Sequence, residues 1–243
     1  MSPRWPVTTL NGHHTKVFEM TGSYVGEYLD GQRHGHGIFE MQDFGRYDGE
    51  FRENNMQGQG VLELRTGRRY EGEFHNSQQH GRGKYTWDEG VYAGCVHEGE
   101  YRHGLKDGPG VFTWPDGKRY QGEFSGDLRT GRGVLQSSNH DFYEGEFVNG
   151  EKHGEGYYLS ASKDWSMQGF FVNDRPTRGV LSEPAEDRRT GKKVIQIFQV
   201  VYDKHCGPIE SKPIPKTKFE ILDASSVPNR RPLPEEIADA PAG

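Results

Sequence analysis

The chain predicts an all-β fold, an elongated single-layer antiparallel meander of stacked β-hairpins. Three observations predict it: a hairpin pattern, its repetition at a fixed period, and a composition too poor in aliphatics for a thick core. In Tyr70-Glu-Gly72-Glu-Phe74, a polar turn, His80-Gly81-Arg-Gly83 and then Tyr85-Thr-Trp87, large and polar side chains alternate on both sides of the turn. A period of two around turn residues is the pattern of a β-hairpin. The second glycine of each Gly-x-Gly pair falls at Gly37, Gly60, Gly83, Gly110, Gly133 and Gly156, with a lone equivalent at Gly179, so the steps are 23, 23, 27, 23, 23 and 23. The first-strand glycine falls at Gly26, Gly49, Gly72, Gly99, Gly122, Gly145 and Gly169, with steps of 23, 23, 27, 23, 23 and 24. Two independent markers thus agree on seven units and on one insertion, between units three and four. Such periodicity marks a repeat architecture in which each unit buries its apolar face against the next.

The 243 residues are 31 % hydrophobic with 34 glycines, which fits a thin core; the 12 % aromatic content supplies stacked rings to fill it. A net charge of −6 argues against general binding to nucleic acid or anionic membrane, which select basic surfaces. Cys95 and Cys206 are too few and too far apart for a disulfide framework or a zinc site. No apolar run follows Met1 and no stretch reaches transmembrane length, so the expectation is a reduced, cytoplasmic protein.

In chain order, residues 1–15 read as an irregular lead-in. Residues 16–23, with Val17-Phe18-Glu19-Met20, read as a capping strand over the first full unit. Seven units occupy 24–183, the seventh degenerate. Alternation turns Tyr70, Gly72 and Phe74 to one face, and Glu71 and Glu73 to the other. The same inward trio recurs as Tyr24/Gly26/Tyr28, Tyr47/Gly49/Phe51, Tyr120/Gly122/Phe124 and Tyr143/Gly145/Phe147. In the second strand Phe39, Leu62, Tyr85, Phe112, Leu135, Tyr158 and Leu181 point inward. Met41, Leu64, Trp87 and Trp114 follow two residues later but give way to Ser137 and Ser160, so the core should thin toward the C-terminal end. Turns are expected at Asp30-Gly31, Asn54-Asn55, Asn76-Ser77, Gly126-Asp127 and Asn149-Gly150. Within 184–202, Glu183 to Lys193 marks a charged loop, and the β-branched run from Val194 to Tyr202 a C-terminal capping strand. From Asp203 to 243 the prolines predict an extended tail without regular structure, with Phe219, Ile221 and Leu222 as its sticky segment.

Chemistry is hard to find in this pattern. His34, His80 and His153 sit at equivalent positions of units that a sheet spaces about 10 Å apart, too far to share an ion. The Gly-x-Gly pairs precede strands rather than helices and lack the lysine of a phosphate loop. No catalytic site, metal or cofactor is predicted. The expected interaction residues are an aromatic groove of Tyr47, Phe51, Tyr70, Phe74, Tyr120 and Phe124, and an acidic edge led by Glu50, Glu73 and Glu123, with Phe219, Ile221 and Leu222 in the tail. The same glutamates also read as a plain solvated face, balanced by Arg46, Arg69 and Arg119.

The pattern Tyr-x-Gly-Glu-Phe, a polar turn, His-Gly-x-Gly and an aromatic strand resembles the MORN repeat over about two thirds of the chain. Units one, three and six carry His34, His80 and His153 in the motif, whereas units two, four and five have Gln57, Asp107 and Thr130. Unit four begins irregularly at His97-Glu-Gly99-Glu-Tyr101, after a Tyr92-Ala-Gly94-Cys95 segment that nearly starts a unit. The resemblance implies a non-catalytic scaffold within a larger assembly, taking a long helix or extended peptide of a cytoskeletal partner. It further implies a microtubule-based location such as a ciliary or flagellar axoneme and its radial spokes. Two other roles compatible with the family are a phosphoinositide-binding membrane module, against which the acidic balance counts, and a targeting subunit of an enzyme complex.

Overall fold

In the computed structural model the described residues are 10–18, 22–186, 193–202 and 208–213. They form seventeen strands and a single 3-10 turn. The strands are β1 (Gly12–Phe18), β2 (Gly22–Leu29), β3 (Gln32–Met41), β4 (Gly45–Arg52), β5 (Asn55–Leu64), β6 (Arg69–His75), β7 (Gln78–Trp87), β8 (Cys95–Arg102) and β9 (Leu105–Thr113). They continue with β10 (Arg119–Ser125), β11 (Leu128–Gln136), β12 (Phe142–Val148), β13 (Glu151–Ser160), β14 (Trp165–Val172), β15 (Arg175–Glu186), β16 (Lys193–Tyr202) and β17 (Pro208–Pro213). Each strand pairs antiparallel with the next, so the sheet is a meander whose seven hairpins run from β2–β3 to β14–β15. At about 4.8 Å per strand, seven hairpins extend over roughly 65–70 Å.

The register places the motif glycines opposite one another. Gly26 faces Gly37, Gly37 faces Gly49, and the row continues through Gly60, Gly72, Gly83, Gly99, Gly110, Gly122, Gly133, Gly145, Gly156 and Gly169 to Gly179. Val200 of β16 faces Gly179 and closes the row with a buried side chain. Just past the first-strand glycine every hairpin slips register by a bulge.

All seven hairpin turns hold two consecutive residues at positive φ, from Asp30-Gly31 to Asn173-Asp174. That conformation matches the twist of the flanking strands. In unit two the turn is Glu53-Asn54, one residue earlier than the Asn54-Asn55 expected. Asn54 is drawn to the second turn position because its Oδ1 accepts the Arg33 amide of the preceding unit at 2.9 Å. The same position clasps backward along the whole rod: Asn54, Ser77, Gly104, Asp127, Gly150 and Asp174 each donate a backbone N–H to a carbonyl one unit earlier.

At the C-terminal end the strand pattern runs further than the sequence predicts. β15 continues through Glu183–Glu186, paired with Gln196–Lys193, where a charged loop was expected. Pro208–Pro213 forms an edge strand on β16, although irregular chain was expected from Asp203. The prolines at its two ends are compatible with an edge, where one row of amides needs no partner.

Candidate functional site

The inward rings build one continuous ladder. Tyr24 and Tyr28 lie four residues apart on one strand, yet their ring centroids are 5.2 Å apart. In a straight strand the two Cα atoms would sit about 13 Å apart, so both side chains lean over Gly26, where the bulge bends the strand. Phe51 of the next unit then packs edge-on against Tyr24. The alternation continues through Tyr47, Phe74, Tyr70, Tyr101, His97, Phe124, Tyr120, Phe147 and Tyr143 to Phe171, at 4.9–5.3 Å and 79–90°. Edge-to-face contact sets the positive rim of one ring against the negative face of the next. The glycine row makes room for it: a Cβ on Gly83 would stand 2.3 Å from the Tyr70 hydroxyl oxygen.

The tyrosine hydroxyls have work of their own. Tyr70 donates to the carbonyls of Glu73 (3.0 Å) and His80 (3.2 Å), the two carbonyls that the bulge pulls out of the ladder. Tyr24, Tyr47, Tyr120 and Tyr143 make the first of these bonds in their own units. Burial pushes Tyr24 and Tyr120 up to about 12 and Tyr47, Tyr70 and Tyr143 higher still, so all remain neutral donors.

These positions change the meaning of the predicted interaction residues. Tyr47, Phe51, Tyr70, Phe74, Tyr120 and Phe124 are 5 % exposed or less, because each is covered by a ring of its own unit and a ring of an adjacent one. They are the filling of the bent sheet rather than the surface of a groove. Glu50 and Glu73 fold back on their own hairpins: their carboxylates accept the amides of Gln59 and Arg82, each at 2.9 Å, as Glu27 accepts that of His36 at 3.1 Å. Glu123 stands beside Gly131 in the equivalent place. The acidic column is therefore in large part a set of bulge clasps, a role that strand alternation alone does not reveal. Phe219, Ile221 and Leu222 lie outside the described residues.

Two features open to a partner lie about units three and four. On the face away from the rings, Glu71, Arg82, Lys84, Glu98, Glu100 and Glu123 edge a shallow trough of about 970 Å³ floored by the glycine row. On the ring face, Tyr85 stacks on Trp87 at 4.4 Å, Trp87 meets Phe112 at 5.6 Å, and Phe112 meets Trp114 at 4.5 Å. Lys106 lies over Trp87 and Phe112 at 5.7 and 5.4 Å, and Lys118 over Trp114 at 4.7 Å. The insertion extends this platform. Its 3-10 turn, Gly90–Tyr92, sets Tyr92 6.0 Å from Trp87 with half its surface exposed and leaves Val91 97 % exposed. Exposed acids, Asp88, Glu89 and Asp116, rim the same patch. The tryptophans and the insertion were visible in the sequence. Their meeting was not, because it depends on the rings of β7 and of the β9 end facing each other across β8.

His97 lies beneath the platform in the slot that tyrosine fills in five other units. It is fully buried, paired across the sheet with Tyr85 on one side and Phe112 on the other. Its Nδ1 is 2.6 Å from the Tyr101 hydroxyl, while its Nε2 is buried without a partner. Burial, reinforced by Lys106, holds the imidazole down at about 3, with Asp127 opposing, so it is neutral at physiological pH.

Among the described residues no three His, Cys, Asp or Glu side chains are placed to hold a metal ion, and no helix is long and apolar enough to cross a membrane. No curated protein matches the chain. The family model described as MORN repeat matches residues 24–46, 47–67, 70–92, 97–119, 120–142 and 143–165, in register with the first six hairpins. These matches span more than half of the 243 residues, and with the bent, glycine-lined hairpins they establish that the chain belongs to the MORN-repeat family.

Proposed function

We propose that this protein is a non-catalytic scaffold that takes a long helix or extended peptide of a protein partner on the aromatic platform of units three and four. MORN repeats commonly serve as protein- or membrane-interaction scaffolds and are generally non-catalytic. The observation that carries the assignment is the unequal use of aromatic side chains. The ladder consumes its own rings, whereas Trp87, Trp114, Tyr85 and Tyr92 stand in a contiguous, partly exposed group flanked by lysines. Tryptophan and tyrosine are among the side chains that dominate binding energy at protein interfaces.

Capture from native material by chemical cross-linking and mass spectrometry tests this reading. Cross-links to partner peptides should centre on residues 85–118 and disappear in Trp87→Ala/Trp114→Ala protein that retains its β-sheet circular dichroism. Partners captured equally by that variant would remove the platform from the account. The cellular setting we propose is a microtubule-based assembly, a ciliary axoneme or its radial spokes, within the cytoplasm. A fluorescent fusion that stays diffuse in ciliated cells would refute the setting without touching the platform.

A further inference from the structure

Unit four departs from the other units in ways that converge on one side chain. A histidine stands where Tyr24, Tyr47, Tyr70, Tyr120 and Tyr143 stand, and a tyrosine, Tyr101, stands where Phe51, Phe74, Phe124 and Phe147 stand. The exchange keeps the ring ladder unbroken, with His97 edge-on to Tyr101 at 5.1 Å and to Phe124 at 4.9 Å. The imidazole, however, leaves the bulge carbonyls of its hairpin without the hydroxyl that serves them elsewhere, and its own Nε2 goes unpartnered. An unpaired polar atom in such a place is costly.

Two further clasps are weakened here. Pro109 occupies the position of His36, Gln59 and Arg82, so there is no N–H for Glu100 to accept. Gly104 occupies the turn position from which Asn54, Ser77 and Asp127 accept a backbone amide of the preceding unit, and only the exposed His103 side chain beside it reaches back, to Gln78 Oε1 at 3.3 Å.

We infer that unit four is an acid-weakened seam: protonation of His97 in the opened chain makes β8 part from its neighbours more often, and with it the aromatic platform that Tyr85 and Phe112 form above it comes apart. This regulation rests on the platform being the partner site; the opening itself does not. The groups that meet His97 bear it out from every side. Tyr101 on its own strand and Tyr85 on β7 are neutral, Phe112 on β9 and Phe124 on β10 are apolar, and Lys106 on β9 repels a second cation. Asp127, in the turn after β10, is the one acid acting on it, and it is 3.3 Å from Lys106.

The direction follows from linkage. Above pH 6.5 the ring is neutral both in the closed sheet and in the opened chain, and the seam has its full stability. Below that value the opened chain binds a proton that the closed sheet refuses until about pH 3, so opening is favoured progressively across this interval. Between pH 7.5 and 5.0 the opening equilibrium should rise about 30-fold.

Hydrogen exchange of the full chain, followed by mass spectrometry and corrected for the intrinsic pH dependence of amide exchange, tests the seam. Peptides from β8 should gain about 30-fold in opening relative to peptides from β4 between pH 7.5 and 5.0. His97→Tyr/Tyr101→Phe, which gives unit four the pair of unit three, should flatten the ratio. His97→Phe should flatten it too, and it serves if the double variant does not fold. A ratio that stays at one in the wild type, or that keeps its pH dependence in these variants, overturns the inference. No partner enters this measurement, so its failure and the failure of the platform are separable.

Discussion

Units three and four are built on the same register, yet the tyrosine slot of unit three is hydrogen-bonded to both bulge carbonyls and the histidine slot of unit four is not. In unit three Tyr70 bonds both bulge carbonyls, Glu73 accepts the Arg82 amide, and Ser77 reaches back to unit two with backbone and side chain. In unit four His97 has one bond, Pro109 offers no amide, and the turn contributes a backbone bond from Gly104 and a side-chain contact of 3.3 Å between His103 Nδ1 and Gln78 Oε1. The ring contacts are nevertheless nearly the same, 5.1 Å within each unit. At this slot, therefore, the repeat tolerates loss of its hydrogen bonds while a flat ring still fills the space. Shape sets the path of the rod, and polar satisfaction sets how firmly each unit is held.

The largest break in this comparison should come from emptying a slot. Tyr70→Ala leaves a cavity between Phe74 and Tyr101 and two bulge carbonyls without a donor; it should cost about 3–5 kcal/mol in urea unfolding, with His97→Ala costing clearly less. Equal losses would show that the two slots carry the same load. Crowding comes next. Gly83→Ala puts a methyl group 2.3 Å from the Tyr70 hydroxyl oxygen and should destabilise by about 1–3 kcal/mol by overpacking.

Making unit four resemble unit three should act in the opposite direction. His97→Tyr/Tyr101→Phe restores a hydroxyl donor and removes the orphaned nitrogen, so a gain of about 1–2 kcal/mol at pH 7 is expected from the denaturation midpoint. A loss there would mean that the four inserted residues have reshaped the slot to fit imidazole. The smallest effect separates the glutamates. Glu73→Ala removes a charge-assisted bond to a backbone amide and should cost about 1 kcal/mol, whereas Glu100→Ala, opposite a proline, should cost close to nothing. Matching values would dissolve the idea that the column acts through bulge amides.

Most of this architecture was legible because it is periodic. The glycine steps gave the seven hairpins and their register, and alternation named Tyr24, Tyr47, Tyr70, Tyr120 and Tyr143 as inward. Alternation fails at the bulge, where two extra residues on the second strand leave the carboxylates of Glu27, Glu50 and Glu73 folded back onto their own hairpins. For that reason an acidic edge was expected where the structure has clasps. His97 was visible as an irregular start to unit four, but its burial depends on strands from three hairpins closing over it. The thinning expected at Ser137 and Ser160 takes a polar form. Asp141 gathers the Tyr158 hydroxyl at 2.7 Å, the Ala161 amide at 3.0 Å and the Ser160 hydroxyl at 3.4 Å, where unit four has Trp114.

One uninterrupted file of edge-to-face rings runs from Tyr28 to Phe171, with His97 as a member. Nuclear Overhauser contacts in protein carrying labelled His, Tyr and Phe rings test it most directly. Cross-peaks are expected from the His97 ring to both Tyr101 and Phe124, and from Tyr70 to both Phe74 and Tyr101. A His97 ring in contact with neither Tyr101 nor Phe124 would contradict it.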